Sequence, residues 1–125
     1  MVLWVAFQRC VLPVTAHPAF AKAGHYLGVK MVWTPVHDSQ TADMAAMKAA
    51  ITANTVILVG SAPSYPCGTM DPLTEIAALA DRKGLLCHVD ACYGGFVIPW
   101  LEKIGRDIPP WDFRVKGTCS FRIPP

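Results

Sequence analysis

Two short apolar runs separated by a helical pattern most constrain the fold of this chain. Residues 55–60 (TVILVG) are apolar after the first threonine, and residues 85–90 (LLCHVD) are apolar up to a histidine and a final carboxylate. Runs of this length are typical of strands that are buried on both faces of a parallel sheet. The intervening residues 71–83 carry their apolar side chains at helical spacing, so the sequence predicts a strand–helix–strand unit.

The same alternation extends along most of the chain. Thr41 and Asp71 are typical N-cap residues. Pro18 suits the first turn of a helix, while Gly28 and Gly84 suit left-handed C-caps. We therefore predict an α/β fold with a mostly parallel sheet, flanking helices and right-handed crossovers. The predicted strands and helices alternate at residues 11–15, 17–27, 30–36, 41–53, 55–60, 71–83, 85–90 and 93–104.

The composition excludes several classes of protein. Charged residues make up 16% of the chain against a norm of roughly 25%, hydrophobic residues make up 53%, and the formal net charge is +2. Disordered chains and charged helical bundles need more charge, and nucleic-acid binders usually carry a concentrated basic face. No apolar run approaches the roughly 20 residues of a membrane span. We therefore predict neither a nucleic-acid partner nor a membrane span within this chain.

The five cysteines indicate reduced thiols rather than a disulfide framework, because their number is odd and no CxxC pair occurs. His88, Asp90 and Cys92 alternate, which on a strand would place all three on one face. That spacing is compatible with a metal ligand set, but no second ligand cluster accompanies it. We predict no metal site.

Ligands of parallel α/β folds bind beyond the carboxyl ends of the strands, where the sequence places three segments: Ala16–His17, Ser61–Gly68 and Asp90–Gly95. Asp90 ends an apolar strand, where a carboxylate either functions in a site or caps the following turn. His17 stands at the start of a predicted helix, where it is either a cap or core histidine or part of a site. The chain has no GxGxxG, GxxxxGK[ST] or GxSxG motif, so nothing supports a nucleotide-phosphate site or a nucleophile elbow.

Four segments in order resemble a known enzyme family: TAHPAF, NTVILVGSAPSYPCG, HVDACYGGF and DFRVKG. Together they are similar to the group II decarboxylase-like, pyridoxal-phosphate-dependent enzymes, and within them to the sphingosine-1-phosphate lyases. The resemblance covers residues 11–120 and leaves residues 1–10 and 121–125 unmatched. It implies part of a large domain of the aspartate-aminotransferase type, which is fold type I of pyridoxal-phosphate enzymes.

The resemblance also implies a cofactor, pyridoxal 5'-phosphate, and roles for three residues. Asp90 would pair with the pyridine nitrogen, His17 would stack on one face of the ring, and Cys92 would lie against the other face. Asp90 and Cys92 would point the same way from an extended segment. The family reaction is a carbon–carbon lyase reaction of sphingolipid catabolism, which cleaves a phosphorylated sphingoid base to a long-chain aldehyde and phosphoethanolamine.

The family's Schiff-base lysine is not matched, because the chain reads FRIPP where the family continues to a histidine–lysine pair and Pro124 takes the place of an aspartate. We therefore predict no catalytic residue and no appreciable lyase activity for the chain as given. The excess of apolar residues fits the interior of a larger enzyme and predicts poor solubility. Six lysines occur in other contexts: Lys22, Lys30, Lys48, Lys83, Lys103 and Lys116.

Two alternative functions stay open at this point. The chain could belong to a pyridoxal-phosphate-dependent amino-acid decarboxylase, or it could be a non-catalytic fragment that pairs with a full-length subunit. The resemblance implies a homodimer at the cytosolic face of the endoplasmic reticulum. A chain without the family's membrane anchor would instead be cytoplasmic.

Overall fold

The computed structural model describes residues 8–117 and the backbone of residues 120–122. Cys119, Pro124 and most of the predicted segments 1–10 and 121–125 lie outside the described residues. The predicted alternation of strands and helices is confirmed, and a short last strand is added where the sequence predicts none. The elements are β1 (Arg9–Pro13), α1 (Ala19–Leu27), β2 (Lys30–Thr34), α2 (Met44–Ala50), β3 (Thr55–Ser61), α3 (Leu73–Lys83), β4 (Leu86–Asp90), α4 (Gly94–Lys103) and β5 (Ser120–Arg122).

The strands form one parallel sheet in the order β2-β1-β3-β4-β5. Strand β1 lies beside β3, with Val11 opposite Leu58, and β3 lies beside β4, with Ser61 opposite Asp90. The chain thus leaves β1 for the edge strand β2 and then returns to the other side of β1. Such a reversal between β1 and β3 opens a crevice at the carboxyl ends of the strands.

Both faces of the sheet are covered, as the apolar runs predict. Alternate residues of one strand belong to different buried clusters: Leu58 packs with Ile76 on one face, and its neighbour Val59 packs near Phe20 on the other. Helices α2, α3 and α4 contribute to the first cluster, and α1 contributes to the second. Because apolar side chains are removed from water on both faces, the central strands tolerate almost no polar residue.

Two predicted N-caps are wrong. Helix α2 begins at Met44, and its cap is Asp43, whose Oδ1 accepts hydrogen bonds from the amides of Ala45 and Ala46 at 2.8 and 3.0 Å. Asp71 makes no cap hydrogen bond to α3, because its carboxylate accepts from backbone amides elsewhere. The predicted C-caps Gly28 and Gly84 are confirmed, with φ values of 68° and 65°.

No helix within the described residues is both long enough and apolar enough to cross a bilayer.

Candidate active site

A cavity of about 640 Å³ opens beyond the carboxyl ends of β1, β3 and β4. Its volume falls within the roughly 300–1,000 Å³ that is usual for ligand and cofactor sites. Its wall includes all three residues to which the family resemblance gives a role, together with three aromatic side chains and one further hydroxyl. These residues are His17, Asp90, Cys92, Phe20, Tyr65, Tyr93 and Ser64.

His17 combines the two interpretations that the sequence leaves open. Its Nδ1 accepts a hydrogen bond from the amide of Ala19 at 3.1 Å, so the side chain caps the start of α1. Its ring also lines the cavity and meets the ring of Tyr65, with centroids 4.8 Å apart and planes at 71°. Because Nδ1 accepts, a neutral imidazole in this position carries its proton on Nε2.

Asp90 likewise both caps a turn and faces the cavity. It ends β4, and its Oδ1 accepts from the amide of Cys92 at 3.2 Å. Its backbone oxygen accepts from the amide of Ala62 at 2.8 Å, which joins the ends of β3 and β4. No lysine or arginine side chain in residues 8–117 forms an ion pair with this carboxylate. A half-buried carboxylate on a cavity wall is suited to a cationic ligand group.

Cys92 lines the same cavity, but the extended geometry predicted for it is wrong. Strand β4 ends at Asp90, and Cys92 lies in the turn that leads into α4. Its position follows from the hydrogen bond between its own amide and Asp90, not from strand alternation. Within the described chain, no group of three or more His, Cys, Asp or Glu side chains is placed to hold a metal ion.

Residues 62–69, the cleft loop, form one wall of the cavity and are held by their own hydrogen bonds. The amide of Ser64 donates to the carbonyl of Thr69 at 2.8 Å, and the two hydroxyls lie 3.0 Å apart. The Thr69 hydroxyl also donates to the backbone oxygen of Gln40 at 2.9 Å. Gln40 adopts a left-handed φ of 62°, a conformation that costs free energy for a residue with a side chain. The cleft loop is therefore anchored to a turn far away in sequence.

Gly94 is required by a close approach between α4 and the start of the cleft loop. A Cβ at this position would lie 1.7 Å from the carbonyl oxygen of Ala62. From sequence, the Gly94–Gly95 pair favours a plain turn over a close approach of the backbone, and for Gly94 that interpretation is wrong because the structure shows the close approach. This contact holds the start of α4, and with it the turn that carries Cys92, against the end of β3.

Asp71 is a buried carboxylate that does not line the cavity. Its oxygens accept hydrogen bonds from the amide of Ser61 at 2.8 Å and from the amide of Ala42 at 2.9 Å. Burial raises the pKa of the Asp71 carboxyl above its usual range, and the two amide hydrogen bonds offset only part of that effect. Asp71 thus joins the end of β3 to the segment before α2.

Sequence reasoning places Ser61–Gly68 and Asp90–Gly95 at the strand ends but assigns no contact to Tyr65 or Tyr93 within them, and it does not single out Gln40. Tyr65 and Tyr93 occur beside Pro/Gly-rich or glycine-rich turns at strand ends, and this position was the available signal. Gln40 has no local signal, because its role depends on Thr69, which lies 29 residues away.

A parallel α/β sheet with this cavity and with Asp90, His17 and Cys92 on its wall has the features of a pyridoxal-phosphate-dependent large domain. The chain belongs to the family described as the pyridoxal-dependent decarboxylase conserved domain, whose model matches residues 10–125. The family assignment also confirms the predicted cofactor class and the lyase and decarboxylase class of enzyme.

Sphingosine-1-phosphate lyases are prominent among the most similar proteins. The lyase of Dictyostelium discoideum is 48% identical over 114 residues, which is 90% of this chain and 22% of that protein. The solved sphingosine-1-phosphate lyase of Burkholderia pseudomallei superposes with a TM-score of 0.89 at 42% identity, covering 94% of this chain and 27% of that one. A probable L-aspartate decarboxylase of Pyrococcus furiosus is 41% identical, over 92% of this chain and 31% of that protein. The predicted fold class is thereby confirmed.

The cavity wall fits a pyridoxal ring. It places a carboxylate, an imidazole and a thiol on the wall of one cavity of sufficient volume. Asp90 is the residue that would hold the pyridine nitrogen, with His17 and Cys92 as the candidate ring contacts. All six lysines of the sequence lie among the described residues, and none of them lines the cavity.

Proposed function

We propose that this chain is the cofactor-binding part of a pyridoxal-phosphate-dependent carbon–carbon lyase that acts on phosphorylated sphingoid bases. Sphingosine-1-phosphate lyases are the main group among the proteins most similar to this chain, although the chain spans only 22% of the length of the Dictyostelium relative. The observation that carries the proposal is the position of Asp90 on the cavity wall together with His17 and Cys92. The products would be a long-chain aldehyde and phosphoethanolamine.

When bound, the cofactor supplies an electron sink for the carbon that loses its bond. The residues of this chain bind and orient it. The Asp90 carboxylate favours the protonated pyridine nitrogen, because an adjacent negative charge stabilises a cation. Its Oδ1 is fixed by the Cys92 amide, so the acid is oriented before any ligand binds. His17 and Cys92 line the same cavity and would contact the ring.

Cofactor binding is tested by titrating the 125-residue polypeptide with pyridoxal phosphate and following the absorbance of the bound ring. Asp90→Asn should weaken binding about tenfold or more, because it removes the charge that faces the ring nitrogen. The control is Asp107→Asn, which changes an exposed carboxylate that does not line the cavity.

An analogue with carbon in place of the ring nitrogen sharpens this test. It should bind the wild-type chain more weakly than pyridoxal phosphate does, and the difference should disappear in Asp90→Asn. Equal loss of affinity for both ligands would show that Asp90 acts on something other than the ring nitrogen.

The second candidate function is decarboxylation of an amino acid, which the similarity to the Pyrococcus protein favours. The two are separated by adding either a phosphorylated sphingoid base or L-aspartate to the cofactor-loaded chain. The lyase proposal expects the sphingoid base to change the absorbance spectrum more than it changes that of free cofactor. A change with aspartate alone would favour the decarboxylase.

We also propose that the whole protein forms a homodimer and works at the cytosolic face of the endoplasmic reticulum. Exposed apolar side chains on α4, among them Phe96 and Trp100, support an assembly in which this helix is covered. Sedimentation of the whole protein and fluorescence imaging of a tagged copy test the two parts separately. A third possibility, pairing of this chain with a full-length subunit, predicts that the two copurify.

A further inference from the structure

We propose that Tyr65 is a positioning residue for His17: its ring holds the imidazole at the cavity wall in the orientation that leaves the proton on Nε2. The expected effect on cofactor binding rests on the proposed function, in which His17 contacts the cofactor ring. The arrangement of the two side chains is visible without any ligand.

His17 needs such support because few contacts among the described residues restrain its ring. The residue is exposed, and within residues 8–117 its side chain makes one hydrogen bond, which Nδ1 accepts from the amide of Ala19 at 3.1 Å. A single hydrogen bond of this kind leaves the ring free to tilt about its direction. The ring of Tyr65 stands edge-on to the imidazole, with centroids 4.8 Å apart and planes at 71°, and blocks that tilt.

Tyr65 itself is placed by the cleft loop rather than by burial. Tyr65 is 65% exposed, but the preceding residue, Ser64, is only 1% exposed. The amide of Ser64 donates to Thr69, and the amide of Gly68 donates back to Ser64 at 2.9 Å. The Thr69 hydroxyl binds Gln40, and Gln40 Oε1 accepts from the Cys67 thiol at 3.7 Å. A closed loop tied at two points therefore presents Tyr65 to His17.

The ring rather than the hydroxyl makes the contact, so the conservative and the truncating variants should differ. Tyr65→Phe keeps the edge-on ring and should preserve the position of His17. Tyr65→Leu keeps apolar bulk and removes the aromatic ring, while Tyr65→Ala removes both. A merely structural role for Tyr65 would not separate the phenylalanine variant from the leucine variant.

The chain contains a matched control in another histidine–tyrosine pair. His25 and Tyr26 lie on α1 with ring centroids 5.9 Å apart and planes at 50°, and neither residue lines the cavity. Tyr26→Ala should change the signals of His25 and leave those of His17 unchanged. The sequence has four histidines, so their ring signals are few enough to assign by substitution.

The experiment follows the ring carbon and nitrogen signals of the histidines by nuclear magnetic resonance in the 125-residue chain. We expect Tyr65→Ala and Tyr65→Leu to shift the His17 signals and to mix the two imidazole tautomers, while Tyr65→Phe keeps the wild-type nitrogen pattern. The affinity for pyridoxal phosphate should fall about tenfold in the first two variants and stay within about twofold in the third. Circular dichroism shows whether each variant is folded.

The outcomes separate this proposal from the proposed function. If His17 responds as expected but the wild-type chain does not bind pyridoxal phosphate, the positioning role stands and the proposed function fails. If the chain binds pyridoxal phosphate and folded Tyr65→Leu changes neither the His17 signals nor the affinity, the positioning role is overturned. If only the Tyr65→Ala variant is unfolded, the comparison of Tyr65→Leu with Tyr65→Phe tests the proposal.

Discussion

Asp71 and Ser61 hold each other by two hydrogen bonds. The Ser61 amide donates to Asp71 Oδ2 at 2.8 Å, and the Asp71 amide donates to the Ser61 carbonyl at 3.1 Å. Ser61 is the last residue of β3 and pairs with Asp90 in the sheet register. The buried carboxylate therefore sets the end of the strand beside the acid that lines the cavity.

Replacing Asp71 with asparagine should destabilise the chain by about 1–3 kcal/mol, because one backbone amide would face an amino group and lose its acceptor. Urea unfolding measures the change in free energy. Asp38→Asn, which changes an exposed carboxylate, is the control and should have little effect. Equal stability of the two variants would mean that the hydrogen bonds of Asp71 contribute nothing.

Asp71 should also impose a pH dependence on stability. Its pKa is raised mainly by burial, so the folded chain binds the proton more tightly than the unfolded chain. The contribution of this group is fully present below the unfolded pKa and is lost as the pH rises through the folded pKa. Unfolding curves from pH 3 to 8 should therefore show a component that falls with rising pH in the wild type and is missing in Asp71→Asn. A component of opposite sign would contradict the raised pKa.

Gly94→Ala should disrupt the turn that carries Cys92. The added Cβ would lie 1.7 Å from the Ala62 carbonyl oxygen, so α4 or the cleft loop has to move. We expect a loss of about 1–3 kcal/mol or more and weaker binding of pyridoxal phosphate. Gly95→Ala, one residue along the same helix, serves as the control. Alanine has a higher helix propensity than glycine, so this variant should not destabilise the helix. The prediction fails if both variants have the wild-type melting temperature.

The exposed face of α4 should limit solubility. Tyr93, Phe96, Trp100 and Ile104 follow one another at helical spacing and are 57–70% exposed. Phe96→Glu combined with Ile104→Lys should reduce light scattering without lowering the melting temperature, because these side chains do not support the core. Ile98→Lys, which places a charge at a buried position, should instead unfold the chain. A wild-type chain that stays monomeric at high concentration would contradict the expectation.

The 125-residue polypeptide should release no appreciable aldehyde from a phosphorylated sphingoid base. No lysine side chain of the sequence lines the cavity, and loss of the amine nucleophile removes most catalysis of this kind. Aldehyde trapping with a hydrazine reagent measures turnover, and a full-length lyase is the positive control. Turnover near that of the control would overturn the expectation.

The strand and helix pattern was predictable because its signals are local. Residues 55–60 read as a buried strand and form nearly the whole of β3, and Gly28 and Gly84 end their helices as predicted. The caps Thr41 and Asp71 were wrong for a physical reason. Several polar residues near a helix start can cap it, and long-range partners decide which of them does.

The candidate site was predictable at His17 and Asp90, because polar residues at the carboxyl ends of buried strands converge on one edge of a parallel sheet. Whether each residue caps its own turn or faces a ligand was not predictable from position. His17 and Asp90 each have both roles. One side-chain atom accepts a hydrogen bond from a nearby backbone amide, and the side chain also lines the cavity. Cys92 also lines the cavity, but it lies in a turn, and strand periodicity does not predict the side-chain direction of a residue in a turn.

The sequence by itself determined a parallel α/β sheet covered on both faces and the strand ends where a ligand would bind, because hydrophobic periodicity and turn residues act over a few neighbouring positions. Only the tertiary structure decided that Tyr65 meets His17, that Gln40 anchors the cleft loop and that Asp71 joins Ser61 to Ala42. These contacts join residues 10 to 48 positions apart, for example Tyr65 and His17. Their geometry exists only after the strands have paired and the helices have packed on the sheet.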